Sequence, residues 1–258
     1  MPLTVETDPA HGGRWISLRA GDREWLWRRV APERANVRPG DAFVDAGGLE
    51  ECVPTVRGKP DHGDAWSRSW TAVGKDTYRV DCPRFSLTRT LRAGAEADYV
   101  LTADPGFRFL WAAHALLDLS PRASVHMAKG TRSFVYPRDN GPAVPSAWPV
   151  FDGVRLDRLG PDDGTAIGAV VGTSSCCVHD GEDRLAFTLE AEGQPVSMAL
   201  WRNLKGFPVE QPYRSTGVEP MLGRVFDLAE AGPDDAARVP TSGEVRWRLT
   251  PAPHCLCP

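Results

Sequence analysis

The chain is poor in lysine. Lys59, Lys75, Lys129 and Lys205 are its full complement, and arginine carries the rest of the positive charge. That imbalance reads as genome base composition and carries no functional signal. The formal net charge is −4 over 258 residues, and a basic stripe of the kind that tracks nucleic acid is missing. Long apolar runs are missing too. Stretches such as Thr165–Gly172 fall far below the roughly 20 residues needed to span a bilayer. The start, MPLTVETDPAHGG, lacks the charged and apolar regions of a signal peptide. The cytoplasm is the expected location, with neither membrane nor nucleic acid as partner.

Helix signals are scarce. Val225–Ala231 suits one or two turns, stopped by Gly232-Pro233. No fixed-period repeat and no low-complexity linker divides the chain, so 1–258 reads as one domain. The segment Asp139–Pro149 reads as a loop. Metal-ligand spacing is absent as well. Cys52 and Cys82 stand alone, while Cys176-Cys177-Val178-His179 and His254-Cys255-Leu256-Cys257 match none of the common zinc patterns. The cysteines are therefore expected to be reduced thiols, with no metal assigned.

Strands and turns are what the sequence does have. Glycine (25) and proline (23) account for about one residue in five, which favours many short strands. Phe85, Leu87 and Leu91 share one face of a period-two segment. Leu185, Phe187 and Leu189 alternate with Ala186, Thr188 and Glu190, and Val245, Trp247 and Leu249 with Arg246 and Arg248. Further strands are expected within Arg14–Arg19, Glu24–Arg28, Tyr78–Cys82, Tyr99–Ala103, Arg108–Leu119 and Val196–Trp201. Asp180-Gly181 suits a tight hairpin. The expected class is all-β, with packed antiparallel sheets.

Four segments carry chemistry: Gly47-Gly48-Leu49-Glu50-Glu51-Cys52-Val53-Pro54-Thr55; Asp61-His62-Gly63-Asp64-Ala65-Trp66-Ser67-Arg68-Ser69-Trp70; Leu110-Trp111-Ala112-Ala113-His114; and Gly217-Val218-Glu219-Pro220-Met221-Leu222-Gly223. The second mixes aromatic faces, which stack on sugar rings, with Asp, His and Arg, which bond hydroxyls in a polar pocket. Each segment alone also has an ordinary reading: an exposed turn, a satisfied core histidine at His114, a solvated carboxylate at a strand end for Glu219.

Taken together and in order, they resemble the galactose mutarotase-like superfamily, which includes aldose 1-epimerases and hexose-6-phosphate mutarotases. The resemblance rests on Gly47-Gly48 with Pro54, His62-Gly63 with Arg68 and Trp70, His114, and Glu219-Pro220. Gly21-Asp22-Arg23-Glu24-Trp25-Leu26 matches the early hairpin, and Trp201-Arg202-Asn203 the strand before the glutamate. It implies an antiparallel β-supersandwich whose groove binds a free, modified or phosphorylated pyranose, with no cofactor. Glu219 matches the catalytic glutamate, His114 the general acid of the central strand, and His62 a histidine that binds or polarises the sugar and is the second choice for the acid. Asp64, Arg68, Trp111 and Trp201 are the expected substrate-binding residues. Asp64 and Trp66 stand where many hexose-phosphate relatives carry phenylalanine and arginine. The implied activity is anomer interconversion. The same scaffold also serves isomerases or lyases of modified sugars and non-catalytic carbohydrate-binding proteins.

Overall fold

The computed structural model describes residues 2–137 and 141–255. Among these, 49% are in strands and 4% in helices, and every pairing between strands of the sheets is antiparallel. Twelve strands form one sheet. Its centre runs, in spatial order, Leu49–Cys52, Trp111–Leu117, Arg214–Leu222, Val196–Leu204, Ala166–Val171 and Arg132–Tyr136. Eight strands form a second sheet, ordered Ser124–His126, Ser175–Asp180, Asp183–Glu190, Glu244–Ala252, Ala97–Ala103, Phe85–Leu91, Thr77–Asp81 and Thr71–Gly74.

The alternating apolar residues explain how the sheets meet. Phe85, Leu87, Tyr99, Leu101, Phe187, Leu189, Val245, Trp247 and Leu249 all enter the main core. They face Trp15, Leu49, Trp111, Leu200, Val218 and Leu222 of the larger sheet. Burying each such side chain contributes about 1.5–3 kcal/mol or more. The larger sheet is also covered on its other face, where Cys52, Ala112, Val170, Ala199, Met221 and Phe226 form a smaller cluster. The strand Trp111–Leu117 is consequently buried along its whole length.

A charged group is built into the core. Adjacent glutamates on the strand Leu49–Cys52 point to opposite faces of the sheet. Glu51 points inward and accepts hydrogen bonds from Arg89 (2.8 Å), the Tyr99 hydroxyl (2.9 Å) and the Trp111 indole (2.8 Å). Arg89 and Glu51 are fully buried.

Several sequence expectations need correction. Of Glu24–Arg28, only Glu24 lies in a strand, the two-residue Arg23–Glu24; Leu26 and Arg28 make isolated bridges. The expected one turn in Val225–Ala231 is there, a short 3-10 turn at Leu228–Glu230. The loop expected over Asp139–Pro149 contains a strand, Val144–Ala147, paired with Arg132–Tyr136; Asp139 and Asn140 lie outside the described residues. Cys177 and Cys255, expected as thiols, form a disulfide with a Cα–Cα distance of 6.2 Å. Cys257 also lies outside the described residues. No helix among the described residues is long and apolar enough to cross a membrane.

Candidate functional site

Glu219 was expected at a strand end because Pro220 follows it. It lies instead in the middle of the strand Arg214–Leu222, 2% exposed. The neighbouring strand accommodates the proline by opening the ladder. Ala112 pairs with Met221 and Leu116 with Gly217, but the pairs between them are missing, where Pro220 has no N–H to donate. The register is the same on either side of the gap, so His114 lies opposite Glu219. On its other side, His114 pairs with Glu50. Glu50, His114 and Glu219 thus form a row across three strands on the face turned away from the core.

His114 Nε2 stands 3.7 Å from Glu219 Oε1. The second carboxylate oxygen, Oε2, is buried and has no hydrogen-bond partner among the described residues. Burial raises the Glu219 pKa, and the nearby imidazole offsets part of that rise. Burial lowers the His114 pKa, and Glu219 opposes the change. Both shifts favour neutral forms, as expected for two ionisable groups in a dry setting. The Glu50 carboxyl is pushed up to about 7, chiefly by burial, against the pull of Arg34, which donates to both its oxygens at 3.2 Å.

Gly217 makes room for this carboxylate. A side chain there would run into Glu219 Oε1 and would sit 3.1 Å from Trp201 Cβ. The glycine is required by close approach, since its φ is not in the left-handed region.

His62 arrives from a loop. Its N–H bonds to the Val56 carbonyl at 3.1 Å, and its backbone is left-handed, with φ of 58°. Gly63 follows, pressed so closely on the Val53 carbonyl that no Cβ fits. The His62 ring stacks on Phe43, centroids 3.5 Å apart, and meets the His114 ring edge-on at 5.0 Å. Its Nδ1 is 3.0 Å from Asp61 Oδ1. Burial works against ionisation of Asp61, but the hydrogen bond and the charges of His62 and His114 more than offset it and hold the carboxyl below its usual range.

These groups open onto a groove of about 1170 Å³. His62, His114, Glu219 and Trp201 line it. Asp64 and Arg68 are not among its lining residues. Beyond Gly63 the chain leaves the groove: Asp64 N–H bonds back to the Val53 carbonyl, and the Arg68 carbonyl accepts from Gly12. Trp111 sits in the core, 0% exposed, packed against Tyr99 and Trp247. It is three residues from His114 on a strand, hence on the opposite face. The sequence reading missed several lining residues: Arg29, Phe43, Asp45, Arg57, Lys59 and Tyr213. Tyr213 donates to Asp45 and stacks on Trp27 with centroids 5.3 Å apart. The cations in Val56-Arg57-Gly58-Lys59-Pro60, between two of the singled-out segments, were the one local signal available.

No family model and no curated protein matches this chain. Solved structures do. A candidate aldose 1-epimerase from Escherichia coli superposes with a TM-score of 0.68 at 13% identity, covering 98% of this chain and 97% of that one. A galactose mutarotase related enzyme from Lactobacillus acidophilus gives 0.61 at 14% identity, covering 97% and 95%. A galactose mutarotase-like protein from Lactobacillus casei gives 0.58 at 14% identity, covering 98% and 97%. Such likenesses, at low identity and nearly full length, establish architecture: the chain has the galactose mutarotase-like fold.

Proposed function

We propose that the protein is an aldose 1-epimerase-like mutarotase that interconverts the anomers of a pyranose. The observation that carries this reading is the pairing of Glu219 with His114, 3.7 Å apart at the floor of an open groove. Mutarotation needs a proton taken from the anomeric hydroxyl and one given to the ring oxygen. Glu219, with its unpartnered Oε2, takes the first. His114 delivers the second, with His62 as the alternative donor 5.0 Å away, ring to ring. As the C1–O5 bond breaks, its electron pair stays on O5, which gains the proton, and C1 becomes an aldehyde. Rotation about C1–C2 and reclosure with the proton transfers reversed give the other anomer. Each positioned proton-transfer group contributes about 10²–10⁴-fold. Trp201 supplies an aromatic face for the sugar, and Arg29, Arg57 and Lys59 supply donors for hydroxyls or an anionic substituent.

The test is anomer exchange followed by NMR across a panel of aldoses and aldose phosphates. Acceleration of at least one of them is expected. A rate no greater than the spontaneous one for every sugar rejects the proposal.

A further inference from the structure

Away from the groove, the second sheet carries a group of metal-binding side chains. On the strand Ser175–Asp180, Cys176 and Val178 enter the core. Cys177 and His179, two residues apart, therefore share the outer face. Cys177 pairs with Ala186, and Ala186 with Ala252, so the three lie in one row across the sheet. The three residues after Ala252 bring Cys255 back to Cys177, with their Cα atoms 6.2 Å apart. Cys255 Sγ ends 3.4 Å from His179 Nε2. The donor atoms of Cys177, His179 and Cys255 all lie within 4.8 Å of one another. His126, paired with Cys177, stacks on His179 at 4.0 Å and walls the group on one side.

We propose that Cys177, His179 and Cys255 form a binding site for a thiolate-preferring transition metal, with zinc the first choice, when the Cys177–Cys255 disulfide is reduced. Zinc bonds of about 2.3 Å to sulfur and 2.0–2.1 Å to nitrogen place neighbouring tetrahedral donors about 3.5–3.8 Å apart, and opening the disulfide lets the two sulfurs separate to that spacing within a group that now spans 4.8 Å. Two thiolates and an imidazole select zinc or copper(I) over magnesium or calcium, which take oxygen ligands. Three donors are gathered among the described residues, which leaves a fourth position of the tetrahedron to be filled. The reaction balances with a dithiol as reductant. The dithiol gives up two electrons and two protons and becomes a disulfide, while Cys177 and Cys255 become thiols. A divalent ion then displaces two protons to solvent as two metal–sulfur bonds form, and the metal keeps its charge. The site ties the C-terminal segment to the sheet whichever form is present, and it is independent of the sugar reaction.

The experiment uses the full chain, reduced with a dithiol, freed of reductant under anaerobic conditions and titrated with cobalt(II). Binding of one equivalent is expected, with the intense visible bands of tetrahedral cobalt and a near-ultraviolet thiolate charge-transfer band. Zinc should displace the cobalt and protect two thiols from alkylation. Cys177→Ser, Cys255→Ser and His179→Ala should each weaken binding by more than about 100-fold, beyond what loss of an outer-shell partner costs. The disulfide form should not bind. Failure of the reduced wild-type chain to take up cobalt or zinc overturns the proposal. So does binding that survives unchanged in the double variant Cys177→Ser/Cys255→Ser. The wild-type result stands even if a variant does not fold.

Discussion

His114 and Glu219 face each other at 3.7 Å across a gap in the hydrogen-bonded ladder. That is too long for a hydrogen bond and short enough for each to act on the other's charge. The gap exists because Pro220 cannot donate, so the residue that interrupts the sheet sits beside the one proposed to do the chemistry.

Replacing Glu219 by Gln keeps the shape and removes the base. The anomer exchange rate should fall in kcat by about 10²-fold or more, with sugar affinity nearly unchanged. The same change should stabilise the fold at alkaline pH. A carboxylate whose pKa is raised on folding contributes stability that is present below its unfolded value and lost as pH rises through the folded one. Thermal unfolding should show the variant melting above wild type at pH 8, with the difference shrinking toward pH 4.

The pH profile of kcat/KM should be narrow. Glu219 must be ionised to act as base, and its pKa lies above the ordinary 4.5, so the acid limb moves up. His114 must be protonated to act as acid, and its pKa lies below the ordinary 6.5, so the alkaline limb moves down. Replacing His114 by Gln should abolish that alkaline limb. If the limb persists unchanged in the variant, the acid is His62.

Gly217→Ala tests the positioning of the carboxylate. The added methyl would occupy the space of Glu219 Oε1. Displacing a reacting group by about 1 Å costs on the order of 10²-fold. The expected result is a loss of that size in kcat with an unchanged circular dichroism spectrum.

Arg68→Ala and Trp201→Ala separate the groove from the neighbouring loop. Trp201 lines the groove and Arg68 is absent from the lining. By sugar titration, Trp201→Ala should weaken affinity about tenfold, the scale of an aromatic anchor. Arg68→Ala should leave it unchanged.

Arg89→Met leaves the Glu51 carboxyl buried without its cation. Loss of one partner of such a pair costs about 3–5 kcal/mol, measurable by urea unfolding. Adding Glu51→Leu to that variant should recover much of the loss.

The strand pattern was legible along Phe85–Leu91 and Asp183–Glu190, where large apolar residues alternate toward the core, and was missed along Leu3–Asp8 and Ser175–Asp180, where that alternation is weak. The three residues proposed for catalysis were legible only through ordered motifs, because no local rule marks a buried histidine or glutamate as reactive. Trp111 could have been placed correctly from parity alone: an odd separation from His114 puts it on the opposite face. Glu219 was misplaced because proline usually ends a central strand, and nothing in the sequence announces that the partner strand has opened. Phe43, Asp45 and Tyr213 reach the groove through contacts such as Tyr213 with Asp45, 168 residues apart. Separations of that kind leave no local trace. The cysteine and histidine group was set aside on spacing, since Cys177 and His179 share one strand and Cys255 arrives from a segment 76 residues beyond His179.

The paired glutamates of Leu49–Cys52 bind the history of the core to that of the groove. Glu51 holds Arg89, Tyr99 and Trp111 on one side, and Glu50 flanks His114 on the other. A one-residue insertion or deletion here would exchange the two faces, so drift in this strand should proceed by substitution and not by length change. Descendants that lose Arg89 should also be those that replace Glu51, and those that lose the buried Arg34 should be those that replace Glu50.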